Sequence, residues 1–153
     1  MYSITGVLHN YPLIAALAAW VVAQLAKTLL DLVTNKKFNR ELLTASGGMP
    51  SSHSATVCAL STAAGIQYGL DSFPFAVCTI LAIIVMYDAL GVRRETGIQA
   101  KVLNEMIDLF ESMNKELSTD EKLKELVGHT PLQVLMGAIL GIIIAFIVMN
   151  LYH

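Results

Sequence analysis

Four apolar runs, each long enough to cross a lipid bilayer as a helix, constrain this chain more than any other feature of its sequence. A transmembrane helix needs about 20 mostly apolar residues. The runs extend from Tyr11 to about Val33, from Ser51 to about Leu70, from Phe73 to about Val92 and from Pro131 to Leu151. Only Asp71-Ser72 separates the second run from the third, which predicts a tight helical hairpin. We therefore expect an all-α integral membrane protein, a helical bundle with four spans that forms one domain over residues 1–153.

The composition supports a membrane protein. The chain is 55% hydrophobic and 14% charged, whereas a soluble domain usually has about 25% charged residues. The net charge of -2 and the lack of a dense basic patch argue against a nucleic-acid partner. Cys58 and Cys78 lie within apolar runs, so we expect them to pack as small residues and not to form a disulfide. Residues 1–11 contain no Lys or Arg, so the first run is interpreted as a retained span and not as a secretory signal.

The basic residues are distributed unevenly between the predicted connections. If four spans cross in sequence, residues 34–50 and 93–130 lie on one side of the membrane, and Lys27 lies within the first span. The positive-inside rule places this shared side in the cytoplasm and both termini outside. The shared side holds nine of the ten basic residues, namely Lys36, Lys37, Arg40, Arg93, Arg94, Lys101, Lys115, Lys122 and Lys124.

An amphipathic pattern follows the third run. From Arg93 to Leu117, apolar residues recur at steps of three and four, with charged residues on the opposite face. This pattern predicts a helix over about 93–117 that lies at the cytoplasmic membrane interface or packs against a partner subunit. Ser118 and Glu121 have the spacing of a capping box, which predicts a second short helix over about 119–127 that Gly128 ends.

A glycine-containing loop leads into the second run. Gly47 and Gly48 let the backbone approach a ligand closely, and Pro50 restricts the conformation that follows. Three serines and His53 then open the predicted helix. The free N–H groups and the positive dipole end of such a helix favour an anion, phosphate above all. A capped helix start whose histidine faces water or lipid headgroups explains the loop about equally well.

A second histidine occupies an equivalent place. His129 lies just before the fourth run, where Thr130 as N-cap and Pro131 as the first helical residue predict a helix start. His53 and His129 therefore fall at the same membrane face, together with the two arginines that follow the third run. Two imidazoles, fixed cations and two helix amino ends at one face indicate phosphoryl chemistry. One histidine can attack phosphorus while the other protonates the leaving oxygen.

These residues resemble motifs of the type 2 phosphatidic acid phosphatase and vanadium-dependent haloperoxidase superfamily. Pro50-Ser-Ser-His53 resembles its Pro-Ser-Gly-His motif, and His129-Thr-Pro-Leu-Gln133 resembles its His-x-x-x-Asp motif. The whole chain is similar to a small, divergent bacterial and plant branch, including residues 88–94 and 128–131.

The resemblance implies an all-helical membrane phosphatase that forms a phosphohistidine intermediate. If the roles of the superfamily's motif residues are carried over to this chain, His129 is the nucleophile and His53 is the general acid. Basic residues then hold the phosphate. The resemblance implies no metal and no other cofactor, and it implies a bacterial cell membrane.

The sequence also departs from the superfamily pattern. Ser52 replaces the motif glycine, Leu123 stands where an arginine is expected, and a Lys-x6-Arg-Pro motif is missing. Gln133 replaces the carboxylate that orients the nucleophile. Its amide can hold an imidazole N–H, but it can equally form a capping box with Thr130.

Asp88 is the candidate for the missing carboxylate. It lies about one turn before Arg93, where an ionised group is costly unless it is paired. It can orient His129, or it can form a structural ion pair with Arg93 or Arg94.

Two further features leave alternatives open. Lys27 and Asp31 are interpreted as an ion pair that reaches the interface, with a phosphate-binding role for Lys27 as the alternative. Gly137 and Gly141 form a small-xxx-small face that permits close helix approach within the protomer or across a dimer, so a homo-oligomer is possible.

The sequence thus predicts a phosphatase that hydrolyses the phosphate monoester of a lipid phosphate at the cytoplasmic face. The alternatives are a non-catalytic membrane protein that binds or transports a lipid phosphate or another anion, and a purely structural oligomerising protein. The predicted catalytic residues are His129, His53, Asp88 and Gln133. The predicted phosphate-binding residues are Arg93, Arg94, Lys36, Lys37, Arg40, Gly47, Gly48, Ser51, Ser52 and Ser54.

Overall fold

The computed structural model describes residues 4–36, 48–113, 123 and 128–152. These residues form one short 3-10 helix, Ile4–His9, and five α-helices, without a β-strand. The α-helices are α1 (Tyr11–Asn35), α2 (Ser52–Tyr68), α3 (Phe73–Leu90), α4 (Val92–Ser112) and α5 (Pro131–Leu151). The predicted all-α class is confirmed. The predicted helix over 119–127 lies outside the described residues, apart from Leu123.

The helix starts follow from local sequence signals. The side chain of Asn10 accepts a hydrogen bond from the backbone N–H of Leu13, and Pro12 lies in the first turn of α1. Ser72 caps α3 and Thr130 caps α5 in the same way, each followed by a proline in the first turn. Capping side chains satisfy amide groups that have no partner within the helix.

Helix α2 is the centre of the bundle. It packs against α1, α3 and α5, and α1 packs against α5. Small side chains at every fourth position allow the helix backbones to approach closely. The fully buried alanines are Ala15, Ala19 and Ala23 of α1, Ala55, Ala59 and Ala63 of α2, and Ala145 of α5.

The two glycines of the small-xxx-small face pack within the protomer. A Cβ atom on Gly137 would overlap the carbonyl oxygen of Ser51, and one on Gly141 would overlap that of Ala55. Both glycines therefore let α5 lie directly on the backbone of α2. Of the two alternatives, close helix approach within the protomer or across a dimer, the structure shows the first, because α2 occupies this face.

Three helical segments are long and apolar enough to cross a membrane: Tyr11–Thr34, Phe73–Phe110, which joins α3 and α4, and Pro131–Leu151. Helix α2 has 17 residues and is not among these three, so length and composition do not confirm the predicted count of four spans. Because the other helices surround α2, it has less need of lipid-compatible side chains. A hydrogen bond of 2.8 Å joins the hydroxyls of Ser61 on α2 and Thr79 on α3.

Helices α1, α2, α3 and α5 alternate in direction, so particular helix ends meet. The N–H of Ser51 donates to the carbonyl of Gln133 at 3.0 Å, which joins the amino ends of α2 and α5. At the opposite end of the bundle, the rings of Tyr11 and Tyr152 stack with centroids 4.9 Å apart. The first and last α-helices therefore have their outer ends on the same side.

A break at Gly91 separates α3 from α4. Gly91 has φ -98° and ψ -97°, although its N–H still donates to the carbonyl of Tyr87 and its carbonyl accepts from the N–H of Glu95. Helix α4 packs against α3 but not against the other described helices. On its buried side, the amide of Asn104 exchanges two hydrogen bonds of 2.9 Å with the backbone of Leu123.

Candidate active site

The imidazoles of His53 and His129 face each other where α2 and α5 begin. Their ring centroids are 5.8 Å apart and the ring planes make an angle of 61°. His53 is the second residue of α2, and His129 directly precedes the N-cap of α5. The two rings therefore lie at the amino ends of two helices, where partial positive charge favours a bound anion.

Contacts with the junction between α3 and α4 hold His129 in position. The N–H of His129 donates to the carbonyl of Ala89 at 3.1 Å. Gly128 has φ +86°, and a Cβ atom at this residue would overlap the backbone of Arg93 and Arg94. Because only glycine fits this close approach, the residue before His129 fixes the segment against the α3–α4 junction.

Gln133 sets the tautomer of His129. Its Oε1 atom accepts a hydrogen bond of 2.9 Å from the N–H of Thr130, which identifies this atom as the oxygen of the amide. The same Oε1 lies 3.4 Å from Nδ1 of His129. Since an amide oxygen only accepts, a hydrogen bond here requires the proton on Nδ1, which leaves the lone pair on Nε2. Gln133 thus forms the capping box with Thr130 and contacts the imidazole, so both interpretations of this residue apply.

Two buried ring nitrogens of these histidines have no hydrogen-bond partner among the described residues. Nε2 of His129 and Nδ1 of His53 are both buried and make no hydrogen bond there. Buried polar atoms are rarely left without a partner in native proteins. A ligand bound beside the two rings would supply the missing partners, provided that it brings a donor to Nε2 of His129.

The surroundings keep His129 neutral. Burial lowers the pKa of His129 below its ordinary value of 6.5, and the positive charges of His53, Lys27 and Arg93 act in the same direction, while the hydrogen bond with Gln133 opposes them. A neutral imidazole is the form that can act as a nucleophile.

Lys27 is buried close to the two histidines, although the sequence favoured a different interpretation. Its side chain is only 2% exposed instead of reaching the interface. Its aliphatic stem lies against Gly48, where a Cβ atom would be 3.2 Å from two of its carbons, and Gly48 has φ +93°. Lys27 acts electrostatically on both His53 and His129. The signal in the sequence was a single lysine deep in an alanine-rich apolar run.

Asp88 pairs with Arg93 in the structure. Nε of Arg93 donates to Oδ2 of Asp88 at 2.5 Å, and the two side chains are 45% and 37% exposed. This is the ion-pair alternative, while the contact with Nδ1 of His129 is made by Gln133. Arg93 and Asp88 both act electrostatically on His53, so the pair borders the site.

The serines of the glycine-containing loop differ in their surroundings. Ser51 and Ser54 are fully buried, and the hydroxyl of Ser51 accepts hydrogen bonds from both the N–H and the hydroxyl of Ser54. This geometry favours capping and packing against α5 for these two side chains. Ser52 is 4% exposed, next to His53 in the first turn of α2.

The remaining predicted phosphate-binding residues fall into two groups. Lys36 is exposed and ends α1 in a left-handed conformation, and Arg94 is exposed beside the site. Lys37, Arg40 and Gly47 lie outside the described residues. Within the described part of the chain, no group of three His, Cys, Asp or Glu side chains has the arrangement of a metal site.

Comparisons with known proteins agree with the motifs. A protein-family model described as "Divergent PAP2 family" matches residues 8–144 of the chain. A protein of Bacillus subtilis (strain 168) named "Uncharacterized membrane protein YuiD" is 44% identical over 149 residues, which cover 92% of this chain and 94% of that protein. No solved structure matches the chain. The chain belongs to the divergent PAP2 family, as the resemblance of its motifs implied.

Proposed function

We propose that this chain, as a member of the divergent PAP2 family, is a membrane phosphatase that hydrolyses the phosphate monoester of a lipid phosphate through a phosphohistidine intermediate. One observation carries the proposal. The rings of His53 and His129 face each other at 5.8 Å, and each presents a buried nitrogen that has no partner among the described residues. The two rings are in edge-to-face contact, so both can border one phosphate group bound beside them.

In the first step, Nε2 of His129 attacks phosphorus while the ester P–O bond breaks. The leaving alkoxide takes a proton from the imidazolium of His53 and departs as an alcohol. The negative charge of the bound phosphate favours the protonated form of His53. Gln133 keeps the Nε2 lone pair directed into the site by holding the proton on Nδ1.

In the second step, water attacks the phosphohistidine. Neutral His53 accepts a proton from this water, the P–N bond breaks, and the electron pair returns to Nε2 of His129. Phosphate leaves, His129 is neutral again and His53 carries the proton with which the cycle began. Neither histidine undergoes a net change over the two steps.

The phosphate oxygens are held by cations and by backbone N–H groups. Lys27 and Arg93 are the described cations that act electrostatically on both imidazoles. The first-turn amides of Ser52 and His53 add donors at the positive end of α2. In the transfer of a phosphoryl group, charge spreads over three oxygens, which such donors stabilise. Arg94, Lys36, Lys37, Arg40, Gly47 and Gly48 complete the proposed surroundings of the phosphate.

The position of the site supports a lipid substrate at the cytoplasmic leaflet. We propose that α2 crosses the membrane as the fourth span, shielded from lipid by α1, α3 and α5. The end of the bundle that holds His53 and His129 then carries the basic residues. The positive-inside rule places this end in the cytoplasm and both termini outside. On α3 and α5, large apolar side chains near this end are exposed on the outside of the bundle, including Ile84 (59%) and Leu135 (56%).

One observation favours a second function, the binding or transport of a lipid phosphate or another anion without catalysis. Gln133 is neutral, so it cannot stabilise an imidazolium at His129 as a carboxylate would. Such a protein would retain the anion site and lack turnover.

Release of phosphate from a panel of lipid phosphates by the purified full chain in detergent tests the proposal. We expect release by the natural sequence and by His9→Ala, a control at the opposite end of the bundle, and none by His129→Ala. Full activity of a folded His129→Ala protein would contradict the catalytic assignment. No release from any substrate, with phosphate binding intact, would favour the second function.

A further inference from the structure

Helix α4 exposes a wide apolar face that no described part of the chain covers. The side chains of this face are between 40% and 67% exposed. They are Val92, Ile98, Val102, Leu103, Met106, Leu109, Phe110 and Met113. On the other side of the helix, Ala100 and Asn104 are 7% and 4% exposed, so α4 is packed on the side opposite this face.

The apolar face is broader than the seam of a two-helix contact. At 100° per residue, its side chains cover roughly 140° of the helix circumference. Only Glu95 and Gln99 interrupt this sector, and both lie in the first two turns. A helix half immersed at a flat boundary between water and lipid needs such a wide sector, whereas a seam between two helices needs a narrower one.

The apolar face of α4 follows an exposed apolar surface on α3. Helix α3 belongs to a segment long and apolar enough to cross a membrane. Near its end, Ile83, Ile84 and Tyr87 are 54%, 59% and 77% exposed. Only Gly91 separates the end of α3 from the start of α4, so the apolar face of α4 starts at the end of this candidate span.

We infer that α4 docks on the bilayer surface through this apolar face, independently of whether the protein is a phosphatase. Lipid acyl chains near the headgroup boundary take up the exposed side chains, and Lys101 and Glu105 on the flank remain in water as an i,i+4 ion pair. Because Gly128 packs against the start of α4, docking also sets the level of His129 relative to the lipid headgroups.

The charges of α4 indicate what drives this docking. The helix carries three basic residues, Arg93, Arg94 and Lys101, and four acidic ones, Glu95, Glu105, Asp108 and Glu111. Helices that depend on anionic lipids carry an excess of Lys and Arg on the polar face. Burial of apolar area therefore drives the docking of α4, without a need for anionic lipid.

Spin labels on the full chain test this inference. In a Cys58→Ala/Cys78→Ala background, Val102→Cys or Leu109→Cys labels the apolar face, and Lys101→Cys is the matched control on the same helix. The protein is placed in nanodiscs of phosphatidylcholine, and collisions of each label with dissolved oxygen and with an aqueous nickel chelate are measured. We expect nickel collisions to be lost at Val102 and Leu109, with oxygen collisions retained, and nickel collisions to persist at Lys101.

Three results would overturn the inference. Equal nickel collisions at all three positions would place the face in water. Dipolar broadening between Val102 labels of two chains would show that a second copy covers it. Loss of the nickel shielding in phosphatidylcholine, with recovery only when an anionic lipid is added, would assign the docking to charge.

Discussion

The imidazole of His53 meets the imidazole of His129 at a centroid distance of 5.8 Å and an angle of 61°, and the two rings belong to different helices. Helix α2 carries His53, whereas His129 is fixed by the carbonyl of Ala89 and by the close approach of Gly128 to the α3–α4 junction. Nδ1 of His129 contacts Gln133, whereas Nδ1 of His53 has no partner among the described residues. This difference supports different chemical roles for the two rings.

Replacement of His53 with Ala should lower turnover of an alkyl phosphate by about 10²- to 10⁴-fold, the usual contribution of a general acid or base. The defect should be smaller for an aryl phosphate such as p-nitrophenyl phosphate, because its leaving group departs without a proton. Steady-state kinetics on the two substrates provide the measurement. Equal losses on both would argue against a role for His53 as the acid.

The pH dependence of kcat/KM should reflect neutral His129. Because burial lowers the pKa of His129, the nucleophile remains neutral through neutral pH, and activity should fall only as the pH drops below its ordinary value of 6.5. Gln133→Glu preserves the capping pattern and adds a negative charge, which raises the pKa of His129 and moves this acid limb to higher pH. An acid limb that stays in place in Gln133→Glu would show that His129 does not control it.

Lys27→Met should weaken phosphate binding because it removes a buried cation from the site. The loss of one charge-assisted contact corresponds to roughly a 10- to 100-fold rise in the Kd of inorganic phosphate, measured by isothermal titration in detergent. Lys101→Met, an exposed replacement on α4, is the control and should bind phosphate normally. Unchanged binding in Lys27→Met would exclude this lysine from the proposed site.

Gly137→Ala should destabilise the fold, since its added Cβ atom would overlap the carbonyl oxygen of Ser51. Overpacking of this kind typically costs about 1–3 kcal/mol. Gly6→Ala is the matched control, because no atom lies within 4 Å of the position of its Cβ. Thermal unfolding in detergent should show a lower Tm for Gly137→Ala and little change for Gly6→Ala. Equal Tm values would mean that α5 does not lie so close to α2.

Much of the helical framework could be predicted from the sequence because local signals determine it. The starts of α1, α3 and α5 follow from a capping side chain and a proline in the first turn, and the apolar runs give the approximate lengths. The end of α3 was harder to predict from the sequence, because the break at Gly91 depends on tertiary contacts as well as on a glycine. The 3-10 helix at Ile4–His9 also lacked a clear signal.

The candidate site was less predictable, because its geometry depends on which helix faces which. The motifs predicted that His53 and His129 lie at the same end of the bundle, but they could not give the distance between the two rings. Lys27 was interpreted as reaching the interface, since the spacing to Asp31 is a local pattern and its burial beside Gly48 is not. Likewise, nothing in the sequence identified α2 as the helix on which Gly137 packs.

The most direct test of the proposed mechanism is a search for the covalent intermediate. The full chain is mixed with a lipid phosphate labelled on phosphorus and denatured within the first turnover under alkaline conditions, in which phosphohistidine is stable, and the labelled peptide is identified by mass spectrometry. We predict one phosphorylated residue, His129, with no labelling in His129→Ala and slower loss of the label in His53→Ala. Release of phosphate without labelling of His129, or labelling of another residue, would contradict the account.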